Sequence, residues 1–198
     1  MEIHLFILWS KANCERKIIL SDIAGKFTIL DVYNISWSKD KFSENLSRFY
    51  GQNLPKNSKK EQHCGNETFT CIIVRDENPL YEHRETSKGI RVVNINLFDS
   101  KKLYRSWTCG GHKIHATDDI EETRIQLMLL LEKQYDNYLV SNEIFVAEKE
   151  CNQDLIGSNG WESLEDVFDI LNKTINYVVL RNFETIHDEM DSLHPDID

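Results

Sequence analysis

An α+β sandwich, with helices on one face of a sheet, is the fold class that this 198-residue sequence predicts. Segments with the apolar pattern of strands alternate with segments that have the spacing of helices. Their order is β, α, β, α, β, β, loop, β, α, which favours a single sheet. The composition, 40% hydrophobic and 28% charged, is that of a globular protein with one full domain and a smaller unit.

The first part of the chain predicts two strands and two helices. Ile3–Trp9 is a nearly continuous apolar run and predicts a buried strand. Ala12–Lys26 has helical spacing, and Gly25 is expected to end that helix. Phe27–Trp37 alternates and is rich in β-branched and aromatic residues, which predicts a second strand. Ser38–Tyr50 returns to helical spacing.

The middle of the chain is less regular. Gly51–Gly65 is polar and predicts a loop or a short extra helix. Thr68–Val74 predicts the third strand and Ile90–Ile95 a weaker one. Leu97–Gly111 is interpreted as a long irregular loop, and loops of that length in compact domains are usually functional. Lys113–Ala116 predicts a final short strand.

The helix predicted over Asp118–Lys133 follows the most informative stretch of the sequence. Asp118 is expected to cap its N-terminus, with Glu121 as the capping-box partner. His115 would then lie just before a helix N-terminus, where unpaired amides and the helix dipole favour an anion. The functional interpretation is a nucleophile or base for phosphate chemistry. The alternative is a loop histidine bonded to a backbone carbonyl.

Charge is distributed unevenly. The net charge of −10 argues against broad binding to nucleic acids. Residues 84–113 nevertheless hold seven basic and two acidic side chains, whereas residues 141–198 hold fourteen acidic and three basic ones. Cations concentrated beside a candidate histidine indicate a site for a compact polyanion. A solvated basic face remains the alternative.

Three domain-level units are expected: a main domain over residues 1–139, a linker over 140–160 and an extension over 161–198. Trp161–Leu171 predicts a helix and Ile175–Leu180 a strand. One helix and one strand cannot bury a core of their own. They either pack on the first domain or begin a domain that this sequence does not finish.

Cysteine use and hydropathy favour the cytoplasm. Five scattered cysteines without a CxxC pair indicate a reducing compartment. No apolar stretch approaches the roughly 20 residues of a membrane span, and the start does not resemble a signal peptide. The spacing Cys109-x-x-His112-x-x-His115, with His63 and Cys64 nearby, suggests a metal site. That reading is disfavoured because positions 112 and 115 of an extended strand point to opposite faces.

Residues 1 to about 139 resemble the nucleoside diphosphate kinase family. The segment His115–Asp118 stands where the family has histidine, glycine, serine and aspartate before a helix. Asn96–Lys101 followed by Arg105 is similar to the family's arginine-bearing loop, and Cys64-Gly65 precedes a strand as the family's serine-glycine-proline turn does. The resemblance implies a ferredoxin-like fold and transfer of a γ-phosphate through phosphohistidine at His115.

The resemblance also implies partners and site residues. Nucleoside tri- and diphosphates would bind, with Mg²⁺ carried by the nucleotide, and identical chains are a candidate partner. From charge and hydropathy, neither nucleic acid nor a membrane is an expected partner. Thr117 stands where the family's serine supports the histidine, and Gln126 where a glutamate orients it. Nucleotide contacts are expected from Arg105, Arg84, Arg91, Lys11, Phe49, Tyr50 and His112.

Four departures from the family pattern bear on catalysis. Leu8–Ala12 replaces the family's lysine-bearing turn, so that only a displaced Lys11 could meet the γ-phosphate. His112 replaces an asparagine, Ala116 a glycine and Gln126 the orienting glutamate. Losing a charged phosphate contact or the carboxylate could each cost on the order of 100-fold in rate. A nucleotide-binding or assembly module without strong catalysis is therefore the alternative function.

The tail has a weaker resemblance of its own. A helix, the strand Tyr177–Leu180 with Arg181, and then Asp196-Ile197-Asp198 look like the opening of a nucleotidyltransferase-fold domain. In such domains an aspartate pair on a strand holds catalytic metals. The resemblance implies one part of a two-domain enzyme of sugar or polysaccharide activation. A solvated acidic terminus is the alternative.

Overall fold

The computed structural model describes residues 1–86, 89–140 and 145–176. The strands of this part of the chain are β1 (Glu2–Leu8), β2 (Thr28–Ile35), β3 (Phe69–Asp76), β4 (Tyr81–Thr86), β5 (Gly89–Asn94), β6 (Ile114–Ala116) and β7 (Lys149–Cys151). The α-helices are α1 (Arg16–Lys26), α2 (Phe42–Tyr50), α3 (Lys59–Cys64), α4 (Ile95–Trp107), α5 (Ile120–Leu131), α6 (Tyr135–Val140) and α7 (Leu164–Thr174), and a 3₁₀ helix covers Ser10–Glu15.

The protein is a mixed α+β structure built on a five-stranded sheet. The strand order is β6-β1-β3-β2-β7, and β4 with β5 forms a separate two-stranded hairpin. Strands β1 and β2 both pair antiparallel with β3, β6 pairs antiparallel with β1, and β7 runs parallel to β2. The order of β6, β1, β3 and β2 is compatible with a ferredoxin-like arrangement.

Helices cover both faces of this sheet, so the prediction of helices on one face is wrong. In β1, Ile3, Leu5 and Ile7 belong to a buried cluster with side chains of α2, α5 and α6. Phe6 and Leu8, which point the other way, belong to a second cluster with side chains of α1 and α4. β1 has apolar side chains on both of its faces and is buried on both sides, and its nearly continuous hydrophobic pattern indicates this.

The segment interpreted as a long irregular loop is mostly helix α4. Leu97 and Tyr104 lie two turns apart on one buried stripe of this helix. The Asn94 side chain accepts a hydrogen bond from the Asn96 amide and so caps its start. The prediction failed because a polar run inside the segment interrupts the apolar stripe. Strand β4, which is mainly polar, was not predicted either.

Two helix ends differ from expectation by one or two residues. Asp119, rather than Asp118, caps α5 by accepting from the Glu122 amide at 2.8 Å. Glu122, rather than Glu121, is the acidic partner, and its carboxylate accepts a hydrogen bond from the Asp118 amide at 2.7 Å. Gly25 lies within α1, whose last residue is Lys26.

The predicted linker contributes to the main sheet. Strand β7 pairs with β2 through residues 33–35, and Leu155 is only 1% exposed in the larger core cluster. The Asp154 carboxylate accepts from Asn45 Nδ2 at 2.7 Å and from the Ser38 amide at 2.8 Å. These contacts tie residues 149–155 to β2 and α2, while the three-unit division of the chain stays a prediction.

Two of the expectations for the tail lie outside the described residues. The helix predicted at 161–171 is present as α7, displaced by three residues toward the C-terminus. Residues 177–180 of the predicted strand and the Asp196-Ile197-Asp198 segment lie beyond the part that the structure describes. Within the described ranges, every helix is too short or too polar to span a bilayer.

Candidate functional site

His115 lies on β6 opposite Ile7 and is only 6% exposed. Its ring meets the rings of Phe49 and Tyr50 edge-on, with centroids 5.3 and 5.4 Å away. Its Nε2 lies 2.9 Å from Gln126 Oε1 on α5. Because an amide oxygen accepts, this bond requires the proton on Nε2 and leaves Nδ1 with its lone pair.

The environment of His115 keeps the imidazole neutral. Burial is the largest cause that lowers its pKa well below the usual range, and the nearby Lys101 ammonium lowers it further. The hydrogen bond to Gln126 opposes this shift but does not offset it. At neutral pH the ring therefore has the protonation state of a nucleophile, although two aromatic rings enclose it.

Thr117 is fully buried, but its hydroxyl is bonded elsewhere than to His115. Its Oγ1 accepts from the Leu5 amide at 3.1 Å and from Thr123 Oγ1 at 2.9 Å. It also lies 3.1 Å from Nδ1 of His4, a second buried histidine. Thr117, which directly follows β6, thus joins this strand to β1 and α5, and these contacts are structural.

A cleft of about 250 Å³ lies beside Tyr50. It collects four cationic side chains from three different elements: Lys60 of α3, Arg91 of β5, and Lys101 and Arg105 of α4. The rest of its lining consists of Tyr50, Gln52, Glu85, Thr86, Phe98, His112, Asp118 and Glu122. We call it the basic cleft.

Two arginines differ in how they are held at the basic cleft. The Arg105 Nε donates to the Ile114 carbonyl at 2.9 Å, and burial is the first cause that lowers the pKa of its guanidinium. Arg91 is exposed on the hairpin, and no carboxylate of the described residues forms an ion pair with it. The Arg105 side chain is thus held in place by the backbone, whereas the exposed Arg91 side chain can contact a ligand.

The two lysines make internal contacts. Lys101 is buried, forms a close ion pair with Asp118 and donates to the Ala116 carbonyl at 3.2 Å. The Lys60 ammonium lies 3.8 Å from the centroid of the Tyr50 ring and donates to Gln52 at 2.8 Å. One face of Tyr50 is therefore covered by a cation.

Three of the predicted nucleotide contacts lie away from the basic cleft. Arg84 donates to Glu82 at 2.6 Å and is absent from the cleft lining. Lys11 lies on the 3₁₀ helix, against Gly65. Phe49 is 3% exposed and packs in the core. The structure brings together Arg91, Arg105, Tyr50 and His112.

His112 lines the basic cleft beside a second histidine, with 5.5 Å between its ring centroid and that of His63. Burial is the first cause that lowers the pKa of His112, and Lys60 is the second. Gly111 brings the loop against the His63 ring, because a Cβ there would lie 3.0 Å from Nδ1. Among the described residues, no group of three histidine, cysteine, aspartate or glutamate side chains could hold a metal ion.

A second cleft of about 270 Å³ adjoins the first and shares Tyr50, Arg91, Asp118 and Glu122 with it. Gln126, the partner of His115, lines this second cleft. Burial is the largest cause that raises the pKa of the shared Glu122 carboxyl. Because Arg91 lines both clefts, a ligand bound to it in the basic cleft could extend into the second cleft toward Gln126.

Sequence reasoning missed Lys60, Lys101 and Phe98 as lining residues of the basic cleft. Phe98, Lys101 and Arg105 are spaced by three and four residues, so they share one face of α4. That spacing could have indicated that these three side chains lie together, but only if the segment had been recognised as a helix. Lys60 lies in Gly51–Gly65, for which the sequence predicts either a loop or a short helix.

Comparisons with known proteins find similar solved structures. No protein-family model matches the sequence, and no curated protein matches it. A crystal structure of the nucleoside diphosphate kinase of Aquifex aeolicus matches 72% of this chain and 98% of its own, at 14% identity and a TM-score of 0.40. A likeness at that level carries no conclusion about function.

Proposed function

We propose that the protein binds a nucleoside di- or triphosphate, with the phosphates in the basic cleft. The observation that carries the proposal is the convergence of Lys60, Arg91 and Arg105 from α3, β5 and α4 on one cleft. Cations from separate elements, on a chain with a net charge of −10, favour a compact polyanion over an extended one. The sequence resemblance to nucleoside diphosphate kinases suggests that this polyanion is a nucleotide.

Mg²⁺ in this proposal is held by the phosphates of the nucleotide. Of the three carboxyls in the basic cleft, Asp118 pairs with Lys101 and Glu122 accepts from the Asp118 amide, and Glu85 is the third. A protein cage for the ion would need several free oxygen ligands. The residues present therefore fit an ion that arrives with the nucleotide.

Phosphotransfer through His115 is the second candidate, and the His115–Gln126 bond favours it. That bond leaves Nδ1 unprotonated, as attack on phosphorus requires. Against strong activity, the ring is 6% exposed and enclosed by Phe49 and Tyr50. Gln126 also offers no negative charge to the imidazolium that forms during transfer. Nucleotide binding is therefore our first proposal, and phosphotransfer through His115 is the second.

Calorimetric titration with Mg²⁺–ATP at rising salt concentration tests the binding proposal. Because exposed cations and phosphates are screened by salt, we expect affinity to fall as ionic strength rises. No binding at low salt would reject the proposal.

A further inference from the structure

A separate groove of about 580 Å³ lies on the other side of α4 from the basic cleft. Phe98, Lys101 and Arg105 of this helix line the basic cleft, whereas Ile95, Asp99 and Leu103 line the groove. The two have no lining residue in common. The groove is thus a second candidate site, and its chemistry is independent of the proposed function.

A buried carboxylate without a counter-charge lies in this groove. Asp76 is 4% exposed, and its Oδ2 accepts from Asn94 Nδ2 at 3.0 Å and from Asn96 Nδ2 at 2.9 Å. Its Oδ1 accepts from the Asn78 amide at 3.1 Å. All three donors are neutral, and no ion pair reaches Asp76 within the described ranges. Buried charges are normally paired with an opposite charge, and the Asp76 carboxylate has no such partner among these contacts.

The remaining charges of the groove do not supply that cation. Lys26, the cationic side chain in the lining, pairs with Asp22 at 2.6 Å. Glu77 and Asp99 add two further carboxylates, bound at 2.6 Å and 4.0 Å to arginines outside the lining. The groove therefore presents three carboxylates and one engaged ammonium.

An apolar surface accompanies the carboxylates. Leu80 is 56% exposed and Leu103 37% exposed, although both line a concave surface, and Phe27 lies beside them. The volume falls within the range of about 300–1,000 Å³ that is typical of small-molecule pockets, which combine apolar walls with a few polar groups. We propose that the groove binds a small organic cation, with its ammonium or guanidinium group at Asp76 and its apolar body on Leu80 and Leu103.

Phenethylamine is the probe that tests this, with 2-phenylethanol as its uncharged analogue. Each is titrated into the labelled full chain at constant ionic strength, and backbone amide shifts are followed by NMR. We expect the amine to bind at least about tenfold more tightly than the alcohol, because hydrogen bonds to charged groups exceed neutral ones by that order. The shifts should centre on Leu80, Asn96 and Leu103. Equal affinities, or shifts centred elsewhere, would overturn the proposal.

Matched variants separate charge from folding. Asp76→Asn should lose more than about tenfold in amine affinity, and two milder changes decide the question if that variant does not fold. Asp99→Asn should weaken binding about two- to fivefold, and Lys26→Met should strengthen it by a similar factor. Asp136→Asn, whose side chain is 63% exposed against 59% for Asp99, is the matched control. Equal effects of Asp99→Asn and Asp136→Asn would contradict the proposal, as would displacement of the amine by MgCl₂ beyond the effect of NaCl.

Discussion

The His115 imidazole and the Gln126 amide form a buried hydrogen bond, with 2.9 Å between Nε2 and Oε1. This bond fixes the orientation and the tautomer of the ring. It provides no negative charge, however, and the pKa of His115 stays well below its usual range because burial dominates. The pair therefore has the geometry of an oriented nucleophile without the electrostatic support for a positive ring.

Gln126→Glu should increase any transfer of phosphate to His115. A carboxylate at this position stabilises the charge that builds on the imidazole, and charge-assisted hydrogen bonds are roughly twice as strong as neutral ones. With γ-labelled ATP we expect slow acid-labile labelling of the wild type and about tenfold faster labelling of Gln126→Glu. His115→Ala is the control and should remove the label. Labelling that persists in His115→Ala would place the chemistry elsewhere.

Acidification should destabilise the fold partly through His115. A histidine whose pKa is lowered by folding binds fewer protons than its unfolded form once the pH falls below about 6.5, so the free energy of unfolding decreases with falling pH. His115→Gln should reduce the slope between pH 6.5 and 5 by up to about 1.4 kcal/mol per pH unit. Denaturant titrations at several pH values measure this. If the exposed His83→Gln gave the same reduction, a role of the buried ring would be rejected.

Leu155→Ala should lower the stability of the whole domain. Leu155 is 1% exposed in the larger core cluster, and truncation of a buried leucine costs about 2–5 kcal/mol. We expect one cooperative unfolding transition at reduced denaturant concentration. Val146→Ala, at a position that is 94% exposed in the same segment, should change stability by less than about 0.5 kcal/mol. A separate, early transition in Leu155→Ala would mean that residues 149–155 unfold independently of the sheet.

Local patterns were enough to predict every strand of the described residues except β4 and β7, and the helices α1, α2, α5 and α7. β1 is apolar at nearly every position, and Thr68–Val74 has the β-branched content of a central strand. Helix α4 was missed because its buried stripe includes Ser100 and Lys101, whose polarity hides the helical period. Lys101 is buried only because Asp118, distant in sequence, neutralises it.

The candidate site could be predicted only in part, for the same reason. The 105–119 stretch was singled out by its residue types, and the structure brings Arg91, Arg105 and His112 to one cleft. Arg84 and Arg91 could not be distinguished, because they lie opposite each other on a hairpin whose first strand was not recognised. The enclosure of His115 by Phe49 and Tyr50 depends on the packing of α2, which no local pattern specifies.

That hairpin provides the most direct test of nucleotide binding in the basic cleft. Arg84→Ala and Arg91→Ala remove the same charge from paired positions, but only Arg91 lines the cleft. The affinity for Mg²⁺–ATP is measured by calorimetry at low salt for both variants and the wild type. We predict a loss of about tenfold for Arg91→Ala and less than about twofold for Arg84→Ala. Equal losses in the two variants, or a wild type that does not bind, would contradict the account.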